Sequence, residues 1–199
     1  MSQLSAYQSG LKEHNLAYEL LKRKLRTSIV RQIIHILRPK DLRYIYYSIH
    51  NERPTSGIIP SVEAIAQTRE SFLYMALFAS IYRCASRVDI KTNMDINAIV
   101  FAWDYFCNVF PGHIRERRPY GRIRPANFDE AWVIAHAIKN GSAELHYCSA
   151  CRRNFLIIYC TNYPPICQIC VMRNVNSKGA TNSSILRHCP YTGFGSPHD

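Results

Sequence analysis

A mainly α-helical protein carrying a small cysteine-clamped module near its C-terminal end is the fold this sequence predicts, on three observations. Apolar residues recur at helical spacing through most of residues 16–139. Proline, glycine and capping residues punctuate those runs. Two C-x2-C pairs stand close together late in the chain. The 199 residues make one domain or one domain with an appendage, and a hydrophobic fraction of 47% suffices for a sizeable core. The organisation expected is a helical body over residues 1–141, a cysteine module over 142–175 and a flexible polar tail over 176–199.

From Leu16 to Leu37 the apolar positions are Leu21, Leu25, Ile29, Ile33 and Leu37, joined by Val30, Ile34 and Ile36. They cover more than one face, so this helix is buried on two sides or broken near Thr27-Ser28. Pro39 suits the first turn of a new helix, and Asp41 suits its positive end. Within that helix Leu42, Ile45, Tyr46 and Ile49 form a stripe to bury. Lys40, Arg43, Tyr44 and Tyr47 repeat the spacing on another face, which is cationic and aromatic, with Arg38 just ahead of it. Two helices around the turn Leu37-Arg38-Pro39, the second with a basic outer face, are helix-turn-helix-like. An ordinary helical hairpin with a solvated face has the same pattern.

Residues 51–61 read as a loop, with Pro54, Gly57 and Pro60 as punctuation. Residues 62–86 read as the central core helix, and Asn93 or Asp95 as the cap of another over 96–110. The aromatics of that helix, Phe101, Trp103, Tyr105, Phe106 and Phe110, suit a core or a partner contact. Residues 111–125 hold Arg115, Arg117, Arg118, Arg122 and Arg124 against one acid, a set that could meet phosphates or serve as a solvated connector. Asn127 with Glu130 makes a capping box for a helix through Lys139, with Gly141 beyond its end.

Cys148 and Cys151, then Cys167 and Cys170, stand with 15 residues between the pairs, the spacing of a zinc-ribbon-like site. Two residues between thiolates let one tight turn aim both sulfurs at a single ion, and two such turns complete a tetrahedron. Four thiolates leave no position for water, so one structural Zn2+ is the reading; the same spacing also suits iron. A redox C-x-x-C belongs in a βαβ unit, whereas Cys151 is followed by Arg152-Arg153-Asn154 and the strand-like Phe155 to Tyr159. Arg152 and Arg153 stand where they would offset the negative charge of a tetrathiolate. Cys84, Cys107, Cys160 and Cys189 read as small buried apolar residues.

The formal charge of +11 is concentrated at the ends: +6 over residues 1–50 and +4 over 151–199. Such a chain suits nucleic acid, anionic lipid or an acidic partner. The sequence lacks an 18-residue apolar run, and its first residues lack a signal-peptide h-region, so a cytoplasmic protein with no membrane contact is expected. Neither a Gly-rich phosphate loop, an H-E-x-x-H motif nor a nucleophile elbow occurs, and His113, His136 and His146 are scattered singly, so an enzyme is not expected.

Several stretches line up in one order: LRPKDLRYIYYSI with the spacer HNERPTSGIIP, SFLYMALFASIYRCA, AWVIAHAIKNGSAELHYCSAC and PPICQIC. In these the sequence resembles the FlhC family of flagellar transcriptional activator subunits, over roughly residues 20–172. The resemblance implies a mostly helical protein with a zinc-stabilised C-terminal element held by Cys148, Cys151, Cys167 and Cys170. It also implies binding of promoter DNA together with FlhD, a small helical partner, in a hetero-oligomer that recruits RNA polymerase at class II flagellar promoters. The segment Arg38 to Arg43 aligns with a basic stretch of that family. The arginine-rich loop is longer and more basic than the family's, and the tail is polar where the family's is basic. An RNA-binding zinc-ribbon protein, stacking bases on its thirteen tyrosines, and a zinc-stabilised scaffold without nucleic-acid binding are the alternatives.

Overall fold

The computed structural model describes residues 2–65, 69–109 and 127–159, together with Cys167 and Cys170. The arginine-rich loop 111–125 and the tail 176–199 lie outside the described residues, as do Phe110, His113, Cys160 and Cys189. Seven helices are described: α1 (Ser2–Lys22), α2 (Thr27–Ile33), α3 (Pro39–His50), α4 (Val62–Ile65), α5 (Arg69–Ala85), α6 (Ile96–Val109) and α7 (Phe128–Lys139). One antiparallel hairpin follows, β1 (Ala143–Cys148) paired with β2 (Arg153–Ile158) in the register Ala143 to Ile158 and Cys148 to Arg153. The protein is mainly helical, as its periodicity predicts.

The apolar set of residues 16–37 spans two faces because the chain breaks. Lys24 takes a left-handed φ of 64°, and α2 starts at Thr27. Leu20, Leu21, Leu25, Ile29 and Val30 then bury from both sides of the bend. In α3 the stripe falls as its spacing requires, with Leu42 and Tyr46 buried and Ile45 and Ile49 half-buried. Asp41 accepts the Arg38 backbone N–H at 3.3 Å, which satisfies one of the orphan donors at the α3 start. At the other end His50 Nε2 lies 2.8 Å from the Leu21 carbonyl and ties α3 to α1.

α5 and α6 pack together and carry the aromatic core. Phe78 meets Trp103 edge-on at 6.5 Å between ring centroids, and Trp103 lies 5.6 Å from both Phe106 and Phe128. Asp95, rather than Asn93, caps α6: its Oδ1 accepts the Ala98 N–H at 3.0 Å. Asn127 and Glu130 close the capping box of α7, and Gly141 takes the left-handed φ of 78° that a chain leaving a helix uses. Leu145, Leu156 and Ile158 on the hairpin join the helical core.

Two arginines bind distant parts of the chain. Arg23, after α1, holds Asp104 of α6 through Nε at 2.8 Å and Glu19 at 2.7 Å. Arg26, ahead of α2, holds Asp129 of α7 through Nε at 2.8 Å and its own backbone N–H at 3.0 Å. Its Nη1 donates to the Gly57 and Ile58 carbonyls, each at 2.8 Å, so the loop 51–61 is pinned as well.

Four details differ from the sequence reading. α1 reaches back to Ser2 rather than starting near Leu16. β1 occupies residues that the sequence places in the cysteine module without marking a strand. Residues 62–86 contain two described helices, α4 and α5, with 66–68 outside the description. Cys84 is exposed and Cys107 half-buried, not buried apolar positions; Cys84 sits in the last turn of α5 on its exposed side. Burial still pushes the Cys107 thiol up to about 11, which keeps it protonated.

Candidate metal centre and basic helix face

The hairpin exists because Cys148 and Arg153 end its ladder and residues 149–152 turn between them. The Arg152 N–H closes that turn on the Cys148 carbonyl at 2.8 Å, with Arg152 at a left-handed φ of 57°. The turn brings Cys148 and Cys151 to one side, where the chain returning at Cys167 and Cys170 meets them. Cys148 Sγ lies 3.5 Å from Cys170 Sγ, and Cys151 Sγ lies 3.5 Å from Cys167 Sγ. All four sulfurs fall within 4.8 Å of one another. A tetrahedron with metal–sulfur bonds near 2.3 Å has sulfur–sulfur edges of about 3.8 Å, so the four positions fit one ion with small adjustments. The donor set can hold a metal ion, as the spacing predicts.

The electrostatics of the thiols point the same way. Burial opposes ionisation at Cys148, but the backbone N–H groups of Cys151 and Ala150 and the thiols of Cys170 and Cys151 outweigh it, lowering Cys148 to about 7. Cys170 is pushed up to about 12 by burial and by the thiols of Cys148, Cys151 and Cys167 around it. Cys167 is raised by burial as well. One thiolate forms readily and opposes the rest, so four together need a cation among them. Cys167 and Cys170 are buried while Cys148 and Cys151 are half-buried, so one flank of the cluster is shielded from water.

Nearer the base of the hairpin, Glu144 on β1 is a second polar centre that the sequence does not announce. Its carboxylate accepts from Lys91, from the Tyr159 hydroxyl at 2.8 Å and from His146 Nε2 at 3.1 Å. The Lys91 ammonium is the largest cause that holds Glu144 down at about 2. No sequence signal announces it, because Lys91 and Glu144 stand 53 positions apart.

The basic set on α3 is brought to one surface. Lys40, Arg43, Tyr44 and Tyr47 are all exposed, with Tyr44 at 74% and Tyr47 at 52% of full accessibility. Arg38, also exposed, pairs with Asp41 at 2.9 Å, and that pairing raises the arginine and lowers the aspartate. Arg43 Nε donates to the Pro39 carbonyl at 3.2 Å, which steers its guanidinium along the helix toward its N-terminal end. Arg115, Arg117, Arg118, Arg122 and Arg124 lie outside the described residues. Among the described residues, no helix is long and apolar enough to cross a membrane. No protein-family model matches the chain, and the curated proteins contain no significant match.

Proposed function

We propose that this protein is a DNA-binding transcriptional activator, an FlhC-like subunit that works in the cytoplasm in a hetero-oligomer with an FlhD-like helical partner. In this reading it binds promoter duplexes and activates flagellar genes through RNA polymerase. The observation that carries it is one helix with two opposed faces. Leu42 and Tyr46 of α3 are locked into the core, while Lys40, Arg43, Tyr44 and Tyr47 stand together in solvent behind a five-residue turn from α2. A short helix anchored in this manner can enter a major groove, its cations neutralising phosphates and reaching base edges. The +11 formal charge supports the same partner. Zn2+ is the metal we assign to the four thiolates, with a structural role, since a closed tetrathiolate site leaves no open position. On α6, Phe101 and Tyr105 are exposed and stacked at 6.4 Å, a surface suited to the helical partner.

The experiment is a gel-shift and salt titration with the Lys40→Ala/Arg43→Ala double variant, co-expressed with a candidate helical partner. Loss of two phosphate contacts lowers the slope of log affinity against log salt by about 2 and leaves partner assembly intact. An unchanged slope and affinity on duplex DNA refutes the recognition-helix assignment. Exposed Tyr44 and Tyr47 also suit base stacking, so single-stranded RNA that outcompetes the duplex transfers the reading to RNA.

A further inference from the structure

A groove of about 260 Å³ runs between α5 and β2. Its floor is a helical stripe, Leu73, Ala76, Leu77 and Ser80, at the i, i+3, i+4 and i+7 positions of α5. Phe155 forms the facing wall, and Arg152, Arg153 and Asn154 form the rim. Among the described residues the lining contains no acid. The Ser80 hydroxyl already donates to the Ala76 carbonyl at 2.9 Å, which leaves the floor apolar in effect. Among the described residues neither rim arginine has an ion pair, and both are exposed.

Arg152 carries the strongest clue. Its φ of 57° lies in the left-handed region, where glycine fits without penalty and a side chain is disfavoured. The turn needs only the backbone N–H of this residue. The Arg152 side chain is therefore free of the turn's own hydrogen bonding, and it borders the groove. The volume falls below the roughly 300–1,000 Å³ of pockets that enclose a whole small molecule, and it suits one large side chain as an anchor. Two neighbouring guanidiniums complement carboxylates, which they bind in a forked geometry.

We propose that this groove docks an acidic peptide segment of a partner protein. A large apolar side chain of the peptide seats between Leu77 and Phe155, and flanking carboxylates pair with Arg152 and Arg153. A phosphodiester strand would satisfy the arginines but leave the apolar floor wet, so a peptide is the better match. The proposal is independent of DNA binding by α3.

Fluorescence anisotropy tests it on the full chain, with zinc content measured alongside. The probe is a fluorescein-labelled acidic peptide with a central Leu-Phe pair; the controls replace that pair by Ser-Ser or the acids by lysines. The acidic Leu-Phe probe binds and both controls fail. Arg152→Gly, which relieves the backbone, keeps the metal and weakens probe binding by about tenfold or more, the loss of one charge-assisted contact. Arg153→Glu and Leu77→Ser act in the same direction, and they decide the matter if Arg152→Gly loses metal. Equal binding by the Ser-Ser control, unchanged affinity in Arg153→Glu and Leu77→Ser, or displacement of the probe by a short DNA duplex overturns the peptide assignment.

Discussion

Replacing Asp129 by Ala removes the carboxylate that holds Arg26, and the structure sets the size of the loss. The two side chains are 13% and 8% exposed, the Nε–Oδ2 distance is 2.8 Å, and the other carboxylate oxygen accepts the Arg26 backbone N–H. Truncating one member of such a pair leaves a nearly buried guanidinium without its counter-charge, which costs about 3–5 kcal/mol. Against a total stability of about 5–15 kcal/mol for a domain, that is a large fraction. Asp129 also stands in the first turn of α7, where a negative charge meets the helix dipole, so both effects have one sign. Asp129→Asn keeps one acceptor oxygen and costs less than Ala. The assay is urea unfolding followed by far-UV circular dichroism on Arg26→Ala, Asp129→Ala and the double variant. A coupling energy above about 1 kcal/mol is expected for a hydrogen-bonded pair. If Asp129→Ala unfolds within about 0.5 kcal/mol of the parent, the range of an unremarkable surface change, the pair is not buried in solution as described and the reasoning fails.

Cys148→Ser or Cys170→Ser releases the bound ion, read as loss of stoichiometric zinc by atomic emission and lower protection of the hairpin tip in hydrogen exchange; retention of full metal in both variants removes the ligand assignment. Glu144 has its carboxyl lowered in the folded state, so its contribution is present above the ordinary carboxylate range and disappears as pH falls toward about 2. Glu144→Gln is therefore less stable than the parent near neutrality, by about 1 kcal/mol after allowance for partial exposure, and the difference vanishes in acid; a gap that widens as pH falls contradicts the assignment.

Local chemistry made much of this fold legible. Pro39 and Asp41 mark the start of α3, and Asn127, Glu130 and Gly141 mark both ends of α7, because each acts on backbone groups within a few residues of itself. The cysteine spacing encodes a geometry within two short turns, and the sulfurs do converge. What escaped is long-range or weakly patterned. Arg26 and Asp129 are 103 positions apart, and nothing near either residue names the other. The first half of α1, SQLSAYQSGL, is mostly polar and so carries a weak apolar stripe. β1 alternates buried and half-buried residues only from Ala143 to His146, a stretch too short to stand out beside the preceding helix. Cys84 looked like a core residue because composition carries no information about which face of α5 it occupies.

The four-cysteine site and the basic helix belong to different parts of the molecule, and this bears on what each can control. α3 packs chiefly on α1 and α2, and the bend between those two helices is fastened to α7 by Arg26. The cysteine cluster lies at the tip of a hairpin whose inner residues, Leu145, Leu156 and Ile158, are already buried against the helices. Core burial therefore holds the base of the hairpin, whereas an ion bound by the four thiols would hold its tip and the return of the chain at Cys167. Loss of metal should loosen that tip and the adjoining arginine rim first, well before the body unfolds, as local opening follows local contact density. Loss of the Arg26 pair instead unfastens the bend between α1 and α2 from α7 while the sulfurs stay together. The two perturbations thus separate a clamp on the C-terminal module from a clamp on the face proposed to meet DNA.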